Sequence, residues 1–150
     1  MTRIPPAALL LTLGGLVPFV YAALIHAQVI APVDAATRIG IGPEGRLVMA
    51  RYGVVILCFM AGVQWGFATR TEGARAAAGY ALSTLPALWA FLAPARTADT
   101  ALTNLIIGFV AVLMLDIAYR RWGLAPPWWL ALRVPVTAAV VLCLAVGIWL

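Results

Sequence analysis

Few side chains in this sequence could do chemistry, and most of those sit in apolar surroundings. His26 is the only histidine; a metal site needs several convergent ligands, and no cysteine at ligand spacing and no acid share its stretch. Cys58 and Cys143 both fall inside apolar runs, at a spacing that matches no metal or disulfide pattern, and read as buried apolar fillers. No Ser-His-Asp set, paired carboxylates, glycine-rich phosphate loop or haem-ligand pair can be assembled. An enzyme is therefore not expected, nor is a cofactor or a metal.

Asp116 is the residue that needs an explanation. A charge inside hydrocarbon costs about 2.5 to 3.5 kcal/mol on insertion scales, so it requires a partner or a purpose. Arg120 stands one helical turn away, at i+4, and Arg133 lies about as far beyond the turn at residues 122–127 as Asp116 lies before it. An antiparallel hairpin brings that acid and that base to one depth. Gln64, six residues before Arg70, falls near the same level. The expectation is a polar intramembrane cluster of Gln64, Trp65, Asp116, Arg120 and Arg133. Its first reading is a polar clamp that fixes helix packing and register; the second is a binding or proton-handling site. One acid beside several arginines has little reason to release and rebind protons, so the clamp leads.

The elements that must hold this cluster follow from composition. Of 150 residues, 65% are hydrophobic and 10% charged, against roughly 45 to 50% and 25% in a soluble domain. A water-soluble protein is excluded. Formal charge is absent from residues 7–33, 52–69, 76–95, 100–115 and 134–150. A bilayer core about 30 Å thick takes about 20 apolar residues per helix, so about five spans are expected, at about 7–28, 47–69, 76–92, 101–119 and 128–149. The fold class is all-α: a polytopic helical membrane protein, one transmembrane domain over 1–150, in an antiparallel bundle. The first span has an apolar part longer than the roughly 7 to 15 residues of a signal h-region and reads as an uncleaved helix. Residues 127–133 are open to two readings, an interfacial helix or the start of the last span. No internal repeat supports an inverted-repeat transporter core.

The chain contains ten arginines and no lysine, for a net charge of +5. In a soluble protein that would suggest nucleic acid; here the arginines sit at span ends and read as topology signals, and no nucleic acid is expected. Arg3, Arg70, Arg75, Arg120 and Arg121 collect on one side, and Arg38, Arg46 and Arg96 on the other. Positive charge in short loops stays cytoplasmic, which puts the N-terminus in the cytoplasm and the C-terminus in the periplasm. The outer loop at 31–45 is rich in turn formers, among them Pro32, Gly40, Gly42, Pro43 and Gly45. Gly62 and Gly66 stand four apart, the small-xxx-small pattern of close helix packing, and Ala76 and Gly79 offer a second small surface at the matching depth. The two faces are expected to pack together. Trp122, Trp128 and Trp129 gather at the last turn, as interfacial belts do.

Several short stretches together carry a resemblance: Ile4-Pro5-Pro6-Ala7 through Gly15-Leu16-Val17-Pro18-Phe19, then Gly62-Val63-Gln64-Trp65-Gly66, Leu85-Pro86-Ala87-Leu88, and Gly123-Leu124-Ala125-Pro126-Pro127-Trp128 followed by Arg133. Over nearly its whole length the chain resembles a bacterial inner-membrane family of unknown function that has a mitochondrial relative, transmembrane protein 69. The resemblance implies a small polytopic protein of the bacterial inner (plasma) membrane without an established activity. The functional expectation is a non-enzymatic accessory or assembly partner of a larger membrane complex, or a self-associating protein, in contact with the lipid bilayer. The alternative is a small transporter or channel with its polar cluster near the cytoplasmic side.

Overall fold

The computed structural model describes residues 3–38, 42–93 and 95–150, apart from the side chains of 35 and 36. Gly40 of the outer loop lies outside them. Five long helices, α1 (Pro6–His26), α3 (Gly45–Ala68), α4 (Gly73–Leu92), α5 (Ala98–Arg121) and α6 (Trp129–Trp149), and a short one, α2 (Asp34–Arg38), account for most of the chain. Among the described residues there is no strand.

Local chemistry sets the helix ends. Pro6 occupies the first turn of α1, where its missing N–H has no ladder partner to lose. At the other end Gln28 adopts φ 57°, and the Gln28 and Val29 N–H groups bond back to Ile25 and Leu24, closing the helix with a left-handed cap. α5 begins with a reciprocal capping box between Thr97 and Thr100, with Asp99 in its positive first turn. It ends on Arg120 and Arg121 and on Gly123 at φ 75°, whose N–H bonds to the Arg120 carbonyl while Leu124 bonds to Tyr119. Leu124 then buries against Tyr119. An L side chain in that conformation costs about 1 kcal/mol, so Gly123→Ala should lower the thermal unfolding midpoint in detergent by a few degrees, and an unchanged midpoint would mean the turn relaxes freely.

Cross-helix contacts fix the directions. Tyr52 Oη donates to the Gly15 carbonyl at 3.0 Å, and Gly45 at the start of α3 abuts Ala22 and His26 at the end of α1, so these two run antiparallel. Gly79 near the start of α4 abuts Ala68 at the end of α3, and Trp89 Nε1 near the end of α4 donates to the Asn104 carbonyl in α5 at 2.8 Å. An Arg46–Asp99 ion pair joins the starts of α3 and α5, and Gly147 near the end of α6 meets Met49 and Leu102. α3 is the central element, touching α1, α4, α5 and α6, while α1 also packs on α6. Phe19, Leu57, Leu105, Phe109, Val112 and Leu144 fill the core between them.

The helix interiors and surfaces are distributed as a bilayer demands. Leu11, Phe91, Leu142 and Trp149 are each more than half exposed, whereas Gln64, Ser83, Asp116, Arg133 and Thr137 are buried. A water-soluble protein does the reverse. α1, α3, α5 and α6 are long and apolar enough to cross a membrane. α4 is not: Arg75, Gly79, Tyr80, Ser83, Thr84 and Pro86 dilute its apolar content. Of the about five spans expected, four meet the length and composition of a membrane-crossing helix among the described residues. Residues 129–133 form the first turn of α6 and continue into its apolar part, so they are no separate interfacial helix.

The expected packing of Gly62 and Gly66 on α4 is also corrected. Both glycines are exposed, and nothing lies within 4 Å of a Cβ added at either. The contact runs instead through Ala68 on α3 and a buried face of Ala76, Gly79, Ser83 and Pro86 on α4, spaced three, four and three residues apart. Gly62 and Gly66 lie two residues out of phase with Gln64 and Ala68, which turns them off that seam. α1 divides at Pro18: its buried residues, Phe19, Ala22, Ala23 and Ile25, all follow that proline, and its first three turns bury none.

Candidate functional site

Among the described residues, the one buried charge cluster is assembled by α3, α5 and α6. Asp116 lies five residues before the end of α5, Arg133 four residues into α6 and Gln64 four before the end of α3, which places all three about 6 to 8 Å inside the helix ends at 1.5 Å per residue. Arg133 Nε donates to Asp116 Oδ2 at 2.9 Å. Gln64 Nε2 donates to Asp116 Oδ1 at 3.1 Å and to the Val112 carbonyl at 3.2 Å. Trp129 Nε1 supplies a third donor, to Oδ1, at 2.9 Å.

Of the five residues expected to cluster, Gln64, Asp116 and Arg133 meet. Trp65 and Arg120 stand outside, and their places in the cluster are corrected. Trp65 is half exposed and packs its ring against Tyr80 at 4.6 Å on the outer surface. Arg120 is exposed; the oxygens of Asp116 are already engaged from α3 and α6, and a long arginine at a helix end gains more by carrying its charge into water. Trp129 is the member that sequence reasoning assigned only to an interfacial belt. It sits four residues before Arg133, one turn along the same face, and that spacing was the available signal. Its ring also lies under the guanidinium, 5.9 Å from centroid to Cζ, and meets Phe67 edge-on at 5.1 Å.

A carboxylate holding three N–H groups from two neighbouring helices acts as a staple. Charge-assisted bonds of this kind are stronger than neutral ones, and each has an orientation that fixes the relative rotation of two helices. The cluster is nevertheless incomplete. Gln64 Oε1, Arg133 Nη2 and the Thr137 hydroxyl are buried without a partner, and an unmet buried polar group costs about 1 to 3 kcal/mol.

At the other end of the bundle, His26 closes against Gly45, and the outer residues Gln28 and Arg51 are exposed. Cys143 is buried and Cys58 half-buried, both as free thiols. Among the described residues no group of three His, Cys, Asp or Glu side chains converges.

Four membrane-length apolar helices, an apolar exterior and a charge cluster in the interior define a helical membrane protein. More particularly, the chain belongs to the family described as "Protein of unknown function (DUF3429)", whose model matches residues 4–149. It is 34% identical over 144 residues to Transmembrane protein 69 of Xenopus tropicalis, across 93% of this chain and 53% of the relative. The chain thus spans about half the length of the curated relative it matches. No solved structure matches it.

Proposed function

We propose that this protein is a multi-pass, non-enzymatic component of the bacterial inner membrane that acts as an accessory or assembly partner of other membrane proteins, with its N-terminus cytoplasmic and its C-terminus periplasmic. The observation that carries the proposal is the outward stripe of Gly62 and Gly66. A Cβ at either meets nothing within 4 Å, so a neighbouring helix can approach the α3 backbone closely, and close backbone approach at small residues is how helices associate in lipid. Asp116 supports the same reading, because a carboxylate engaged by three donors is suited to holding helices in place.

In this arrangement α4 is a fifth crossing. Its start lies at the end of α3 and its end beside the start of α5, so it covers the thickness that both of those helices cover. Its small-residue seam packs on α3, which leaves Leu85, Leu88, Phe91 and Leu92 toward lipid. The arginine asymmetry supports the orientation.

Gentle detergent extraction of the tagged protein, followed by native-gel sizing and mass spectrometry, tests the reading. The expected result is co-migration with a larger complex that is lost in Gly62→Leu/Gly66→Leu while the thermal midpoint does not fall, because those positions are free of intramolecular contact. Migration as a lone monomer would sink the partner reading and make transport assays the next step.

A further inference from the structure

The dividing of α1 at Pro18 leaves a cavity beneath its first three turns. About 460 Å³ in volume, it is walled by α1, α3, α5 and α6, with Leu16, Phe59, Met60 and Phe109 among its apolar lining, and it falls within the range of roughly 300 to 1,000 Å³ typical of small-molecule sites. Leu11 and Phe59 at its rim are exposed, so it opens sideways toward lipid between α1 and α3.

Its polarity is arranged at one end. Arg133 and Thr137, one turn apart on α6, line the wall and are both more than nine-tenths buried. Arg133 Nη2 and Thr137 Oγ1 are unpartnered. A mid-helix threonine commonly returns its hydroxyl to the carbonyl four residues back; this one does not. Farther along α6, Val140 and the facing Phe109 are wholly apolar lining, about 10 Å beyond Arg133 at 1.5 Å per residue. The cavity therefore has a donor-bearing end near the helix termini and an apolar end toward the bundle's middle.

We infer that this cavity binds a membrane lipid whose neutral oxygen acceptor, an ester or ring carbonyl, meets Arg133 Nη2 and Thr137 Oγ1 while its chain fills the apolar end. The acceptor is neutral because Arg133 is already charge-paired with Asp116 at 2.9 Å, so the pair presents hydrogen-bond donors without excess positive charge. A phosphate would bring an uncompensated charge into an apolar site. Arg133 lies about 6 Å and Thr137 about 12 Å inside the start of α6 at 1.5 Å per residue, so a lipid carbonyl enters from the near end, and the lateral opening lets the chain follow from the bilayer.

The test uses the full chain in dodecyl maltoside micelles, which carry no carbonyl, with a diacylglycerol carrying a diazirine on one acyl chain. Saturable crosslinking to the peptides of α1 and α6 that line the cavity is expected. Thr137→Val, which keeps the shape and removes the donor, should lower labelling about fivefold, the effect of one hydrogen bond, while the thermal midpoint holds or rises because an unmet buried hydroxyl is removed. Leu16→Trp, which fills the cavity, should abolish it. Competition by unlabelled dioleoylglycerol or by a decyl-benzoquinone separates the two sources of the carbonyl. Labelling that does not saturate, that spreads over exposed residues such as Phe91 and Trp149, that Thr137→Val leaves unchanged, or that only phosphatidylglycerol displaces would overturn the assignment.

Discussion

Asp116→Ala is expected to destabilise the bundle by about 3 to 5 kcal/mol, the usual cost of removing one partner from a buried ion pair. The loss comes less from the missing bonds than from what remains. Arg133, 5% exposed, would keep its charge without a counter-charge, and Gln64 and Trp129 would each lose an acceptor. Neutral hydrogen bonds between membrane helices average only about 0.6 kcal/mol in measured cases, so the size of the effect discriminates between a charge staple and ordinary polar contacts. Asp116→Asn retains an acceptor and should cost less than the alanine. Asp116→Leu with Arg133→Met should recover much of the loss, since replacing both members of a buried pair by apolar groups is often neutral or better. Reversible unfolding in mixed detergent micelles measures all three. A loss of under about 1 kcal/mol for Asp116→Ala would show that Arg133 reaches water by a route absent from the packed bundle.

Gly45→Ala should be the next most damaging, for a different reason. A Cβ there would press into the Ala22 carbonyl oxygen and stand 3.0 Å from His26 Cβ and 3.1 Å from His26 N. Most of those atoms belong to backbone, which cannot swing aside as a side chain does. α1 and α3 must separate at that end, and overpacking of this kind costs about 1 to 3 kcal/mol. Gly62→Ala makes the matched comparison. It meets nothing within 4 Å and should gain about 0.5 to 1 kcal/mol from helix propensity. Equal midpoints for the two variants in thermal unfolding would contradict the close approach of α1 to α3.

Much of this architecture is legible from the residues because a bilayer imposes simple rules. Uncharged runs of the required length mark α1, α3, α5 and α6, and their ends fall within a few residues of the expected spans. The meeting of Asp116 with Arg133 is legible for a related reason: a short turn between two helices makes equal distances from the turn into equal depth. Rotation about each helix axis is harder to read. Gly62 and Gly66 carry a packing pattern, yet helix faces are assigned by the competition of all neighbours, and Gln64 and Ala68 take the inward side. Arg120 has the right spacing to pair with Asp116 and still points outward, since sequence spacing does not reveal that the carboxylate is already taken. α4 shows the limit of a composition rule. Its seam is built of small and weakly polar residues because it must lie close to α3, and that same need lowers its apolar content. The cavity could not be read at all, because it depends on where α1 stops touching its neighbours.

The joining of α5 to α6 through Asp116 also bears on how the protein is made. Two of the three donors to that carboxylate, Trp129 and Arg133, lie in α6, and only Gln64 precedes it in the chain. A nascent chain that has threaded α5 but not yet α6 into the bilayer therefore holds an acid without its Trp129 and Arg133 donors, with Arg120 one turn away as its nearest counter-charge. That state is less stable than the paired one. Arrival of α6 relieves it. Synthesis of α6 is thereby coupled to stability, and a polypeptide interrupted in the turn before Trp129 remains a loosely held membrane intermediate.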